Sequence, residues 1–243
     1  MVILGQRWAE SYMAAHPGMV IQVTGGGSGT GIAALINGTT DICQSSRPIK
    51  PEESEQVQQR FGNPVEEIVV AKDGLAVYVH ESNGVGELTL EQIRDIYTGK
   101  TTDWRDLGGE PGRITVYGRE NNSGTYVYFK EHVLKEADFA ASVQTLPGTA
   151  AVVNAVAQDK TGIGYGGAAY AKGVKEIAVK TDAQTPGVLP RLESIRDKSY
   201  PISRDLYFYL RKKPEGAIKA FLDYVLSPEG QKLVTEVGYY PVS

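Results

Sequence analysis

The sequence predicts an α/β chain folded as two lobes, and three observations carry that reading. Extended segments alternate with segments of helical periodicity along most of the 243 residues, which implies βαβ units and a mainly parallel sheet. The pattern then restarts near residue 90, and each block runs strand, glycine-rich turn, helix. Finally, the C-terminal helical segments need a sheet to cover. These features place the crossovers near Val77 and Tyr207, with 1–76 and 207–243 forming the first lobe and 77–206 the second.

Val2 to Ala15 carries Leu4, Trp8, Tyr12 and Ala15 at helical spacing, and His16-Pro17-Gly18 stops it. Val20 to Thr24 alternates as a strand and enters the turn Gly25-Gly26-Gly27-Ser28-Gly29-Thr30-Gly31. Ile32 to Ile36 reads as a short helix ended by Asn37-Gly38. Asp41 to Ser45 is a strand and Pro51 to Phe61 a polar helix; Glu67 to His80 is one or two extended runs with a break at Asp73-Gly74. In the second block Leu90 to Tyr97 is helical and Arg113 to Tyr117 is a strand. That strand leads through Gly118-Arg119-Glu120-Asn121-Asn122-Ser123-Gly124-Thr125 into a helix over Tyr126 to Leu134. Thr149 to Ala157 is a small-residue helix, Gly162 to Gly166 and Glu176 to Val179 are short strands, and Ile202 to Leu210 is a tyrosine-rich strand. Ala217 to Val237 is helical, interrupted at Ser227-Pro228.

Bulk properties narrow the function. A net charge of −4 argues against a nucleic-acid partner, which calls for a basic face. It leaves small anions open, because local dipoles hold them. No run approaches the roughly 18 apolar residues of a membrane helix. Cys43 is the only cysteine, so neither an intramolecular disulfide nor a thiolate metal cluster is available, and it reads as a small buried hydrophobe in its strand. His16, His80 and His132 lack metal-ligand spacing and read as surface or structural residues. No metal and no cofactor is expected.

The two turns carry the chemistry. Each hands the chain to a helix start, where unpaired N–H groups and the positive end of the helix dipole favour an anion. Ser28 and Thr30 add hydroxyl donors to the first turn, and Ser123 and Thr125 to the second. Gly27, Gly29 and Gly124 let the backbone approach a ligand closely, and Arg119 offers a planar fork to two oxygens of a tetrahedral oxyanion. A serine before a helix is most often only a cap; two such turns in separate blocks, one with an arginine, weigh toward a site. The first turn has no lysine for a P-loop, neither serine sits in a G-x-S-x-G elbow, and the dinucleotide pattern starting at Gly29 lacks an acid at a strand end, with Glu52 and Glu53 in a polar helix instead. Catalysis has no support.

Trp8-Ala9-Glu10, the run Thr24 to Gly31, and Asp41 with Ser45-Ser46-Arg47-Pro48 resemble periplasmic phosphate-binding proteins of bacterial ABC-type uptake systems. So do Ile96-Tyr97-Thr98-Gly99-Lys100 with Trp104, Arg119 through Thr125, and Gly162-Ile163-Gly164-Tyr165, all in order along nearly the whole chain. The resemblance implies a class II-like Venus-flytrap fold with two crossovers and no enzymatic activity. It implies inorganic phosphate in an interlobe cleft, an ABC permease of the inner membrane as partner, and a periplasmic or membrane-anchored extracytoplasmic location. By the same resemblance Ser28, Arg119, Ser123, Gly124 and Thr125 contact phosphate; Gly27 and Ser46 are expected to bind it with them, and Gly29, Thr30, Arg47 and Asn121 to support the site. Ser46 stands where the family often has an aspartate that accepts the ligand's proton, and Asn121 where an acid commonly braces the arginine. Another oxyanion (sulfate, molybdate or arsenate) or a sensor without transport remains an alternative, and a phosphate-ester enzyme a more distant one. Family members also begin with a strand and a Ser/Thr-bearing loop before the first helix, whereas here Met1 stands almost inside that helix, with no signal peptide ahead of it. A gap in the first lobe, or a segment exchanged with another copy, is therefore expected.

Overall fold

The structure, a computed structural model, describes residues 1–242. In chain order the elements are α1 (Val2–Ala15), α2 (Ser28–Asn37), β1 (Cys43–Ser45), α3 (Pro51–Phe61), β2 (Glu66–Val79), β3 (Glu87–Thr89) and α4 (Leu90–Tyr97). They continue with β4 (Thr115–Arg119), α5 (Gly124–His132), β5 (Gln144–Leu146), α6 (Thr149–Gln158), β6 (Gly162–Gly167), β7 (Lys175–Lys180) and α7 (Leu192–Arg196). The last are β8 (Ser203–Leu210), α8 (Gly216–Leu226) and α9 (Pro228–Val237). The chain divides into two compact units, Met1–Lys72 with the chain from Arg204 onward, and Asp73–Ser203. The sequence-based boundaries lie a few residues further along at both crossings.

In the first unit, β1 pairs antiparallel with β8, Cys43 opposite Tyr209. Ile32 and Leu35 of α2, Val57 of α3, Cys43 and Tyr209 form one buried cluster. Gly31 lets α2 press on β1, since a Cβ there would lie 3.0 Å from the Cys43 sulfur. Burial pushes the Cys43 thiol up to about 12, so it is an inert core group. The stripe Leu4, Trp8 and Tyr12 buries α1, and the Trp8 indole donates to the Gly230 carbonyl of α9 at 2.8 Å.

In the second unit, β6 lies between β2, antiparallel with Val77 opposite Tyr165, and β4, parallel with Val116 opposite Ile163. Strand β5 adds parallel to β4, and β7 pairs antiparallel with β2 and parallel with β3. Every residue of β6 is buried. Its glycines admit α6: a Cβ on Gly164 would stand 2.6 Å from Val152 and 2.9 Å from Val156. Beside it Tyr97, Phe129 and Tyr165 pack as an aromatic cluster, with Phe129 and Tyr165 stacked at 3.9 Å.

Several sequence expectations are corrected. The pairing is mixed rather than mainly parallel, because β1 with β8 and β2 with both β6 and β7 run antiparallel. Gly74 does not break β2. Its role is close approach, since a Cβ there would lie 2.5 Å from Pro190. Both post-turn helices start earlier than expected, at Ser28 and Gly124. Residues 20–24 are no strand. They alternate in exposure, with Val20 79% exposed, but no strand among the described residues pairs with them. Alternation fixes the two faces of a segment, whereas a strand also needs a neighbour to complete the ladder.

Candidate functional site

In the first unit the turn before α2 depends on glycine. Gly26 and Gly27 have φ of 123° and 96°, and Gly27, with ψ of 164°, occupies backbone space that is essentially glycine's alone. Gly27 is the N-cap, and no side chain caps this helix. The amides of Ser28 and Gly29 are therefore first-turn donors without intrahelical acceptors, at the positive end of the dipole. Ser28 is buried, and its Oγ accepts from the Ser46 amide at 3.0 Å and lies 3.3 Å from Ser46 Oγ. Ser28 and Ser46 are thus brought together from separate segments. The Thr30 hydroxyl turns back and donates to the Gly26 carbonyl at 2.9 Å, closing the turn.

Arg47, expected in a supporting role at the site, pairs with an acid of its own unit. It is 5% exposed, and its fork donates to both oxygens of Glu53 at 2.8 and 2.7 Å and to the Pro48 carbonyl at 2.9 Å. It holds the loop that carries Ser46 against the start of α3. Burial works to raise the Glu53 carboxyl, but the Arg47 hydrogen bonds, the Lys50 amide and both cationic charges hold it below the usual carboxylate range.

In the second unit β4 ends on Arg119, and the turn runs to Ser123, the N-cap of α5. Ser123 Oγ accepts from the amides of Thr125 at 3.2 Å and Tyr126 at 3.3 Å, which leaves its hydroxyl hydrogen for donation. Ser123, Gly124 and Thr125 are buried, whereas Asn121 is exposed at the tip of the turn. Arg119 is half-buried: its amide donates to the Tyr165 hydroxyl at 3.4 Å and its Nη1 to Thr149 Oγ1 at 2.8 Å. Sequence reasoning placed Thr149 only as the first residue of a helix. The signal for more was the dipeptide Gly148-Thr149, because Gly148 (φ 83°, ψ 151°) opens α6 in nearly the backbone conformation with which Gly27 opens α2.

Each unit therefore carries one anion-favouring half-site built from a glycine-permitted or hydroxyl-capped helix start, and the second adds a guanidinium. Among the described residues there is no group of His, Cys, Asp and Glu side chains arranged to hold a metal ion, and no helix long and apolar enough to cross a membrane.

Residues 3–229 match the family model described as the PBP superfamily domain. The phosphate-binding protein PstS of Pseudomonas aeruginosa is 36% identical over 252 residues, covering 97% of this chain and 78% of that protein. The phosphate-binding protein PstS of Bacillus subtilis is 32% identical over 236 residues, covering 97% and 75%. Among solved structures, a Clostridium perfringens protein assigned as a phosphate ABC transporter substrate-binding protein, with bound phosphate, has a TM-score of 0.88 at 31% identity and covers 100% of this chain and 96% of its own. An ABC-type phosphate transport receptor from Vibrio cholerae has a TM-score of 0.77 at 27% identity, covering 98% and 95%.

Proposed function

We infer that this chain, which belongs to the PBP superfamily and within it to the PstS family of phosphate-binding proteins, is a receptor that binds inorganic phosphate and delivers it to an ABC permease. The observation that carries the reading is the pair of half-sites. A buried Ser28 sits at an uncapped helix start in the first unit, and the Arg119–Ser123–Gly124–Thr125 turn sits in the second. A multiply charged anion leaves water only if nearly every oxygen finds a donor. Backbone amides, hydroxyls and a guanidinium are donors of that kind, and each unit carries some of them. Gly27, Gly29 and Gly124 provide the close backbone approach.

Titration calorimetry with phosphate tests this directly. The expected result is one site per chain, lost in Arg119→Ala and weakened in Ser28→Ala. If phosphate releases no heat at any pH near neutrality, or if neither substitution changes the affinity, the reading fails. Transport is tested separately by phosphate uptake in cells that carry the chain with a cognate permease. An extracytoplasmic location follows from that role and is read by fractionation.

One observation keeps other tetrahedral oxyanions in view. Ser46 and Ser28 are hydroxyls, and a hydroxyl either donates or accepts. It therefore does not demand a protonated ligand oxygen as a carboxylate does. Sulfate, arsenate and molybdate competing for the phosphate site measure that selectivity. We also propose exchange of a segment between copies, supported by residues 20–24, which alternate in exposure but join no strand among the described residues. Light scattering reads this as a mass above one chain.

A further inference from the structure

We propose that Thr149, seated by Gly166, is the residue that positions Arg119 for the anion; this rests on the phosphate-receptor reading above. The first support is a direct contact within one unit. Arg119 Nη1 donates to Thr149 Oγ1 at 2.8 Å, and Thr149 is 8% exposed. A guanidinium has only donors, so Thr149 is necessarily the acceptor in this bond. Arginine has a long, rotamer-rich stem, and a fork useful to an oxyanion must be aimed before the anion arrives.

The second support is how tightly Thr149 is itself fixed. Its methyl carbon lies 2.2 Å from where a Cβ on Gly166 would stand, so no side chain other than hydrogen fits at Gly166 while that methyl is in place. The methyl occupies the hollow over β6, and the remaining arm of the β-branched side chain points Oγ1 at Arg119. Gly148 adds the backbone condition. With φ of 83° and ψ of 151° it opens α6 without a side-chain cap and delivers Thr149 as the first helical residue. Arg119 is held at its other end as well, since its amide donates to Tyr165 in the same strand β6. Strand β6 therefore fixes the arginine through both its backbone and its tip.

The test compares five variants by phosphate calorimetry and by melting without phosphate: Arg119→Ala, Thr149→Val, Thr149→Ser, Gly166→Ala and Gly166→Ala with Thr149→Ser. Thr149→Val keeps the shape and removes the acceptor, so it is expected to weaken binding roughly tenfold with little change in melting. Thr149→Ser keeps the oxygen and is expected to retain most of the affinity. Gly166→Ala displaces the methyl and is expected to weaken binding, and adding Thr149→Ser removes the atom it displaces and restores it in large part. That rescue shows which atom Gly166→Ala displaces, and the loss of affinity in Thr149→Val at unchanged melting is the outcome packing alone does not produce. If Arg119→Ala binds as wild type, the receptor site itself has been misread. If Arg119→Ala loses binding while Thr149→Val binds as wild type, the positioning role is overturned. Equal losses in Thr149→Val and Thr149→Ser, or a double variant no better than Gly166→Ala, overturn it too.

Discussion

The same tripeptide, Ser-Gly-Thr, stands in both turns, at residues 28–30 and 123–125, yet the two helices take it up one position apart. Ser28 is the first helical residue and caps nothing; Ser123 is the cap and accepts two amides. The residue in front decides. Gly27 reaches φ of 96°, which lets the helix begin at the serine, whereas Asn122 precedes a serine in ordinary extended backbone, φ −74°, and the helix begins after it. One half-site consequently presents bare amides, and the other a capping hydroxyl and an arginine. A shared motif in sequence is no guarantee of a shared contact.

The arginines near the turns differ in the same manner. Arg47 is bound bidentately by Glu53, while the contacts of Arg119 include a bond from Nη1 to the neutral hydroxyl of Thr149. The comparison breaks most readily at Arg119. Arg119→Ala removes charge-assisted bonds worth about 1.5–3 kcal/mol each, so phosphate affinity is expected to fall by at least about a hundredfold in calorimetry. Arg119→Lys is expected to recover only part of this, because lysine is a point charge without the fork. Full recovery with lysine would mean that charge alone matters at that position.

At Arg47 the expected loss is in stability. Glu53→Gln is expected to cost about 2 kcal/mol, the value for a buried pair reduced for the partial exposure of Glu53. The pH dependence has a definite sign. The folded carboxyl lies below its usual value, so the stabilisation is full above the unfolded value of about 4.3 and is lost as pH falls through the folded one. Melting of Glu53→Gln is therefore expected to fall less steeply than wild type below that range, and parallel acid limbs would show that Glu53 is not a source of the acid loss.

Much of this was legible in advance because it is local. The stripe Leu4–Trp8–Tyr12, the polar helix from Pro51 to Phe61 and the break at Ser227-Pro228 follow from spacing and breakers over a few residues. That a helix follows each turn was legible from glycine and hydroxyl residues, though not the residue at which it starts, Ser28 rather than Ile32 and Gly124 rather than Tyr126, nor the one-residue difference between the two, which turns on Gly27. What depended on distant partners was not legible. Thr149 meets Arg119 from 30 positions away, and Arg47 meets Glu53 because the start of α3 folds back on its loop. Gly74 reads as a break in the sequence, whereas in the fold it makes room for Pro190. Residues 20–24 carried the alternation of a strand, but alternation says nothing about whether a neighbour exists.

The backbone difference between the turns is open to a direct probe at Gly27. Gly27→Ala forces an L side chain into φ of 96°, and a strain of about 1.5 kcal/mol is expected in chemical denaturation. Phosphate affinity is expected to fall as well, because relief of the strain moves the bare amides. An unchanged midpoint and affinity would show that the turn relaxes without consequence, and that glycine is not what separates it from its counterpart.

The smallest effect sharpens the comparison most, because it separates capping from anion binding at one atom. Ser123→Ala is expected to cost about 1 kcal/mol of stability, the usual value of a lost N-cap. Ser123→Asp restores a capping acceptor for the Thr125 and Tyr126 amides and places a negative charge at a helix start, so its melting is expected to return to wild type or slightly above. That same carboxylate has no hydrogen to donate at neutral pH and repels an anion, so phosphate binding is expected to be lost even as the fold is repaired. Ser28→Asp is expected to lack the repair, since Ser28 lies inside its helix and caps no amide there. The measurement is melting without phosphate beside calorimetry with it, for both aspartates and for Ser123→Ala. If Ser123→Asp repairs neither property, Ser123 is not acting as the cap. If it repairs both, the second turn holds its helix but not the anion, and the arginine beside it must bind from elsewhere in the unit.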